Sequence, residues 1–323
     1  MAMTDGHGRR INYLRLSITD RCNLRCQYCM PAAGVTKIGH GDILRYEELE
    51  RVARAAVAVG VEKIRVTGGE PLVRQGVVGF LDRVKRIPGL KHLVLTTNGV
   101  LLPRMAADLR DAGVEQLNIS LDSLQPEIFR RITRLGEVSK VLAGIEAARA
   151  AGMTVKINMV VMRGTNDHEI LDFVRFAIDR SLAVRFIEYM PVLGQEQWQS
   201  LILPGEDILS LVRSHFLLTP LARGRLAGPA REYLLSGTAA TVGVITPYSS
   251  HFCRECNRIR VTATGKAKGC LFSEQPLDLS PFLGNELALR GALQELIGGK
   301  PSEHRIDADD PLHSPFAMSD VGG

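Results

Sequence analysis

Three stretches of this chain repeat one local plan: AVGVEKIRVT (58–67), DAGVEQLNIS (111–120) and AAGMTVKINM (150–159). Each ends a helical pattern at a glycine (Gly60, Gly113, Gly152), the residue that most easily takes the left-handed stop conformation, and enters a strand two or three residues later. INYLRLSIT (11–19), LKHLVLTTN (90–98) and LAVRFIEYM (182–190) bring the expected strands to six. Helical patterns fall between them over 46–59, 76–86, 102–112, 138–151 and 168–180. That order predicts a parallel α/β sheet.

Parallel strands covered by helices on both faces usually read as continuous Val/Ile/Leu. Here each strand keeps one polar face. Leu14, Leu16 and Ile18 alternate with Arg15, Ser17 and Thr19, and Ile64 and Val66 with Lys63, Arg65 and Thr67. Leu117, Ile119 and Leu121 alternate with Asn118, Ser120 and Asp122, and Val155, Ile157 and Met159 with Lys156 and Asn158. Helices cover the apolar face, so the polar stripes line the inside of a curved sheet. Buried charges need partners. The expectation is an open, partial βα barrel of about six parallel strands around a polar, anionic ligand. A barrel filled by apolar layers does not fit these stripes.

Residues 191–240 are interrupted by Gly and Pro, with one helical segment near 205–216 and loop-like surroundings for Arg223. A boundary is expected near 225, giving a core over 1–225 and a C-terminal accessory domain over 226–323.

All six cysteines fall in two triads: Cys22, Cys26 and Cys29 in DRCNLRCQYCMP, and Cys253, Cys256 and Cys270 in HFCRECNRIRVTATGKAKGC. The N-terminal MAMTDGHGRR has no apolar signal-peptide core, and no apolar run reaches the roughly 18 residues of a membrane span. A reducing, cytoplasmic location is therefore expected, where such cysteines are metal ligands more often than disulfides. Net charge is +5, from 40 Lys+Arg against 35 Asp+Glu, and no basic run suggests nucleic acid. A structural zinc site wants four ligands. CxxxCxxC supplies three, with no histidine at ligand spacing. Three cysteines on a cubane 4Fe–4S cluster leave one iron open to another ligand.

CxxxCxxC with Tyr28 before its last cysteine, just after a first strand and followed by TGGEP (67–71), resembles the radical S-adenosylmethionine superfamily. YLRLSITDRCNLRCQYCMP, KIRVTGGEPLVR, TTNG, NISLDSL, RIR after Cys256 and the final Gly-Gly are further similar to the GTP 3′,8-cyclases over residues 10–323. In the tail, Val321 stands where that family commonly has isoleucine. The resemblance implies a lyase of molybdenum cofactor biosynthesis. Its open iron binds S-adenosylmethionine, a 5′-deoxyadenosyl radical takes the 3′ hydrogen of GTP, and C3′ joins C8 of guanine. It also implies an electron donor, a downstream cyclic pyranopterin monophosphate synthase, and a monomer or homodimer.

By the same resemblance Cys22, Cys26 and Cys29 hold the first 4Fe–4S cluster. Cys253, Cys256 and Cys270 hold the second, whose open iron meets the guanine. Tyr28, Gly69, Glu70, Ser120 and Met190 contact S-adenosylmethionine. Arg15, Arg65, Thr96, Lys156, Arg258, Ile259 and Arg260 contact GTP. Arg15, Arg258, Arg260 and the terminal Gly322 and Gly323 serve catalysis. The residues agree on one point independently. No GxxxxGK[ST] exists, so arginine forks must take the phosphates. Arg258 and Arg260, two apart in RIRV, share a face. Two other readings remain: a radical peptide-modifying enzyme with an auxiliary cluster, and a zinc-organised nucleic-acid-binding protein.

Overall fold

The computed structural model describes residues 3–35, 38, 39, 41–190, 198–250, 252–273, 275–303 and 318. The N-terminal half runs β1 (Tyr13–Ser17), α1 (Tyr46–Ala58), β2 (Lys63–Thr67), α2 (Val77–Lys85), β3 (His92–Thr97), α3 (Leu102–Asp111) and β4 (Gln116–Ser120). It continues through α4 (Pro126–Thr133), α5 (Val138–Ala150), β5 (Thr154–Val161), α6 (Ile170–Arg180) and β6 (Ala183–Glu188). After α7 (Gly205–Arg213) come β7 (Leu218–Pro220), β8 (Arg231–Leu235), β9 (Thr241–Ile245), β10 (Arg258–Val261), β11 (Lys266–Lys268), β12 (Leu277–Asp278) and α8 (Glu286–Gly298).

All strands belong to one 12-stranded sheet in the order β12-β11-β10-β1-β2-β3-β4-β5-β6-β9-β8-β7. Strands β10 through β9 in that order are parallel, and antiparallel hairpin strands extend both ends. No described pair joins β12 to β7, so the sheet is open. The six expected parallel strands are present, and β9 and β10 extend them at either side.

The helices form because their apolar residues recur on one face. In α1, Leu49, Val52, Ala53 and Ala56 are buried, while Glu48 reaches back to the Arg45 N–H at 2.7 Å to cap the first turn. That face joins one apolar core with Leu14, Leu16, Ile64, Val66, Leu93, Leu95, Leu117 and Ile119, all 0 % exposed. Each such Leu or Ile stabilises the fold by roughly 1.5–3 kcal/mol. Alternation along each strand then leaves the intervening side chains, Arg15, Arg65 and Asn118 among them, on the inner face. The core thus fixes where the polar residues go.

Candidate active site

The loop carrying Cys22, Cys26 and Cys29 leaves the C-terminal end of β1 and is held from two sides. On one, Gly69 N–H donates to Thr19 O at 2.8 Å and Glu70 N–H to Arg21 O at 2.7 Å. A Cβ on Gly69 would stand 2.5 Å from Arg21 O, and one on Gly68 2.6 Å from Thr19 O. The glycine pair is required by this close approach. On the other side, the end of α4 acts as a shelf. Arg25 N–H donates to Thr133 O (3.1 Å), Gln27 N–H to Ile132 O (2.9 Å), and Arg134 Nη1 to the carbonyls of Arg25 and Met30 (2.9 Å each). Tyr28 donates its hydroxyl to Asp122 Oδ2 at 2.7 Å, and Asp122 Oδ1 accepts from Val160 N–H at 2.9 Å.

Cys253 and Cys256 lie just before β10, and Cys270 two residues beyond β11. Because β10 runs parallel to β1, this triad sits toward the strand starts, opposite the first. Arg9 is buried beside it. Its Nη1 donates to Cys253 O at 2.9 Å and Ser302 O at 2.7 Å, while Asp5 Oδ2 accepts from its Nε at 2.6 Å. Lys300 Nζ donates to Gly269 O.

Both triads open on one cavity. Between them it is lined by Arg15, Arg65, Thr96, Ser120, Asp122, Asn158, Arg185, Glu188, Met190, Arg258 and Arg260. Burial, then Arg258, brings Arg260 down to about 10, and burial, then Arg65, brings Arg185 to about 10. Both stay charged near neutrality. Among the described residues, Arg65 Nε, Arg185 Nε, Arg260 Nη1 and Thr96 Oγ1 are buried without a hydrogen-bond partner. A low-dielectric cavity with so many cations calls for a polyanion.

The thiols differ between the triads. Burial pushes Cys22 up to about 11 and Cys29 to about 12, and lifts Cys26 well above the ordinary thiol value. Metal binding must therefore expel their protons. Burial also raises Cys256, but Arg258 and then Lys300 outweigh it and bring the thiol to about 6.

Comparisons with known proteins agree with this geometry. A profile for the Radical SAM superfamily matches residues 16–177, and one for Molybdenum Cofactor Synthesis C matches residues 182–306. A GTP 3′,8-cyclase of Geobacter sulfurreducens is 59% identical over 326 residues, covering 100% of both chains.

The chain belongs to the GTP 3′,8-cyclase family.

Another family member, from Moorella thermoacetica, is 45% identical over 99% of this chain and 100% of its own. Among solved structures, Streptococcus suis SuiB bound to S-adenosylmethionine aligns with TM-score 0.63 over 89% of this chain and 69% of that one, at 13% identity. S-adenosylmethionine-bound anSMEcpe aligns with TM-score 0.52 over 64% and 58%, at 21% identity. These two show a shared fold.

Of the residues singled out from the GTP 3′,8-cyclase resemblance, the six cysteines, Arg15, Tyr28, Arg65, Gly69, Thr96, Ser120, Met190, Arg258 and Arg260 all line the cavity. Three do not. Glu70 is buried behind the wall, accepting from Leu72 N–H (3.0 Å), Thr97 Oγ1 (2.8 Å) and Asn98 N–H (2.6 Å). The carboxylate braces the β3 turn, since both its oxygens are engaged there. Lys156 Nζ donates to Glu232 Oε1 at 2.9 Å. Ile259 packs its side chain in the apolar core. Arg223 is not a bare loop residue, because it pairs with Glu255 between Cys253 and Cys256. Gly322 and Gly323 lie outside the described residues; Met318 lines the cavity. Sequence reasoning missed Arg9, Arg185, Glu188 and Lys300. Arg185 was findable, since it stands between Val184 and Phe186 in the same alternation as Arg15.

The donor set fits iron–sulfur clusters. No three His, Cys, Asp or Glu side chains among the described residues converge on a single-ion site. Tetrahedral zinc at about 2.3 Å would draw its sulfurs to roughly 3.8 Å of one another. A cubane needs each thiolate on its own iron, hence further apart. Leu24 N–H at 3.3 Å and Asn98 Nδ2 at 3.9 Å point at Cys22 Sγ, and Arg258 Nη2 at 3.8 Å points at Cys256 Sγ. Such donors favour the thiolate.

Proposed function

We infer that the protein converts GTP to (8S)-3′,8-cyclo-7,8-dihydroguanosine 5′-triphosphate, the first step of molybdenum cofactor biosynthesis. The observation that carries this reading is the single cavity with a cysteine triad at each end and buried arginines between them. When bound, the first cluster with S-adenosylmethionine supplies a 5′-deoxyadenosyl radical. Cys22, Cys26 and Cys29 would hold that cluster, and Cys253, Cys256 and Cys270 the second.

The chain's own residues orient and enclose. Tyr28, fixed by Asp122, gives a flat wall for the adenosyl group, with Gly69, Ser120 and Met190 beside it. Arg15, Arg65, Arg185, Arg258 and Arg260 supply fork-shaped donors for the triphosphate, with Thr96 Oγ1 among them. Lys156 joins only by exchanging Glu232 for a phosphate oxygen, and Ile259 contributes main chain rather than side chain. Glu70 acts from behind by holding the Asn98 N–H. Fixing the ribose beside the radical source and excluding water protects the reactive intermediate.

We assign residues 1–225 to the radical-generating core and 226–323 to the second triad and tail. Met318 on the cavity wall supports a role for Gly322 and Gly323 at the barrel mouth. Deleting both should leave iron content and GTP binding intact and depress hydrogen abstraction; unchanged cyclase activity would dismiss the role. No described helix is long and apolar enough to cross a membrane. A cytoplasmic location, a dedicated electron donor and hand-over to a cyclic pyranopterin monophosphate synthase complete the reading, with the chain acting as a monomer or homodimer.

Against a peptide-modifying enzyme stands a GTP 3′,8-cyclase 59% identical end to end. Anaerobic incubation of reconstituted protein with GTP, S-adenosylmethionine and dithionite tests the proposal. It predicts 5′-deoxyadenosine and a cyclised nucleotide in step. 5′-Deoxyadenosine that forms without GTP consumption would overturn the substrate.

A further inference from the structure

Tyr13 opens β1 two residues before Arg15, so both point to the same face of the sheet. Leu14 and Leu16 belong to the apolar core and Tyr13 does not, although its side chain is only 1 % exposed. Its register partners are Lys63 on one side and Arg258 on the other. Lys63 Nζ stands 4.9 Å from the ring centroid and the Arg65 guanidinium 5.4 Å. The phenolic hydroxyl is buried with no hydrogen-bond partner among the described residues. That is an unusual neighbourhood for a hydroxyl. Lys and Arg offer donors and no acceptor, so neither Lys63 nor Arg65 can take its proton. An anion can.

The depth of Tyr13 says which part of the anion. Toward the strand starts, Tyr13 stands directly behind Arg65, whose guanidinium packs on its ring and lines the cavity. Below it the loop after β7 forms a floor. Asn12 Nδ2 donates to Arg225 O at 3.2 Å, Lys63 Nζ to Leu226 O at 3.1 Å, and Asn257 Nδ2 to Ala227 O at 3.4 Å. A phosphate chain descending past Arg15, Arg65 and Arg260 would approach the hydroxyl from the cavity side.

We propose that the Tyr13 hydroxyl donates to the terminal phosphate of the bound nucleoside triphosphate, so that the site reads the length of the phosphate chain. This rests on the nucleotide reading above. A diphosphate stops one link short and leaves the hydroxyl orphaned, and a site built for a hydrogen bond rejects a ligand that lacks it. The guanidinium groups cannot make this distinction alone, because they attract any polyphosphate.

Tyr13→Phe keeps the ring and its cation contacts, so the fold should survive. The test is calorimetric titration of anaerobically reconstituted parent and variant with GTP and with GDP. The variant should lose about tenfold in GTP affinity and less than about twofold in GDP affinity. Equal changes for the two nucleotides, or none, would overturn the proposal. The same comparison with inorganic tripolyphosphate and pyrophosphate examines Tyr13 independently of the base. Failure of the parent to bind GTP would sink the guanosine reading, whereas tight GTP binding with an unchanged GTP/GDP ratio in Tyr13→Phe would sink this proposal alone.

Discussion

Arg15 and Arg260 are register partners across the β1–β10 pair, and Arg65 faces Arg15 from β2. Three guanidinium groups thus stand in a row across neighbouring strands, each 7–8 % exposed. Like charges at such a spacing work against folding unless something neutralises them. The chain retains them, which is the mark of a site organised for its ligand rather than for its own stability.

Replacing one member of that row should therefore separate stability from binding. Arg260→Met is expected to raise the thermal midpoint of the ligand-free protein while weakening GTP by well over tenfold, about 2–5 kcal/mol as for a truncated buried charge pair. Arg175→Ala, whose partner is the exposed Asp172 one turn away, should change neither by more than about 0.5 kcal/mol. Differential scanning fluorimetry and calorimetry read the two quantities. A less stable Arg260→Met protein that still bound GTP would reverse the argument.

The two triads should fail differently. Cys26→Ala is expected to abolish formation of 5′-deoxyadenosine, because two thiolates cannot retain a cubane with one defined open iron. Cys256→Ala should keep part of that cleavage and lose GTP turnover. Iron per chain and chromatography of both products check this; parent-rate cyclisation in Cys256→Ala would reduce the second cluster to a structural role.

Gly69→Ala places a methyl 2.5 Å from Arg21 O and 2.6 Å from Asp20 O, both main-chain atoms leading into Cys22. The loop must move, at a cost of about 1–3 kcal/mol by the usual scale of overpacking. We expect iron at the first site to fall by half or more, on the order of that cost, while far-UV circular dichroism stays unchanged. Full iron loading in the variant would show that the loop yields freely.

Glu62 gives a pH prediction away from the cavity. Hydrogen bonding from Arg225 first, with Lys91 assisting against burial, holds its carboxyl at about 2. The folded value lies below the unfolded one, so its stabilisation is complete above roughly pH 4.5 and is lost as pH falls toward 2. Glu62→Gln should accordingly be less stable than the parent at pH 7, and the gap should narrow between pH 4.5 and pH 2. Urea midpoints on the cluster-free chain measure it. A gap that does not move with pH would remove Glu62 as its source.

Much of this was readable in the chain because it depends on local rules. Gly60, Gly113 and Gly152 take φ of 108°, 83° and 75°, as the repeated helix stop requires. Arg15 and Arg65 fall on the inner face because period-two alternation leaves no other choice. Residues governed by distant partners were not readable. Lys156 shares that face, yet a carboxylate from β8, 76 residues away, claims it. Apart from Asp5 four residues earlier, Arg9 has no sequence signal, since its acceptors beside the second triad include the main-chain carbonyls of residues 253 and 302. The helix α4 is eight residues long and opens on Pro126, too short for a periodic pattern to declare itself.

The pairing of β1 with β10 also bears on how the molecule comes into being. Asn12 and Asn257, at the head of that pair, are joined by a hydrogen bond spanning 245 residues of chain. On the ribosome the first strand therefore waits, its outer edge unpaired, until most of the polypeptide has been synthesised. Contacts of such high order are slow to close, and an exposed strand edge invites association in the interval. Cys253 and Cys256 arrive immediately before the strand that ends the wait, so closing the sheet and gathering the second triad are one late event in the life of the nascent chain.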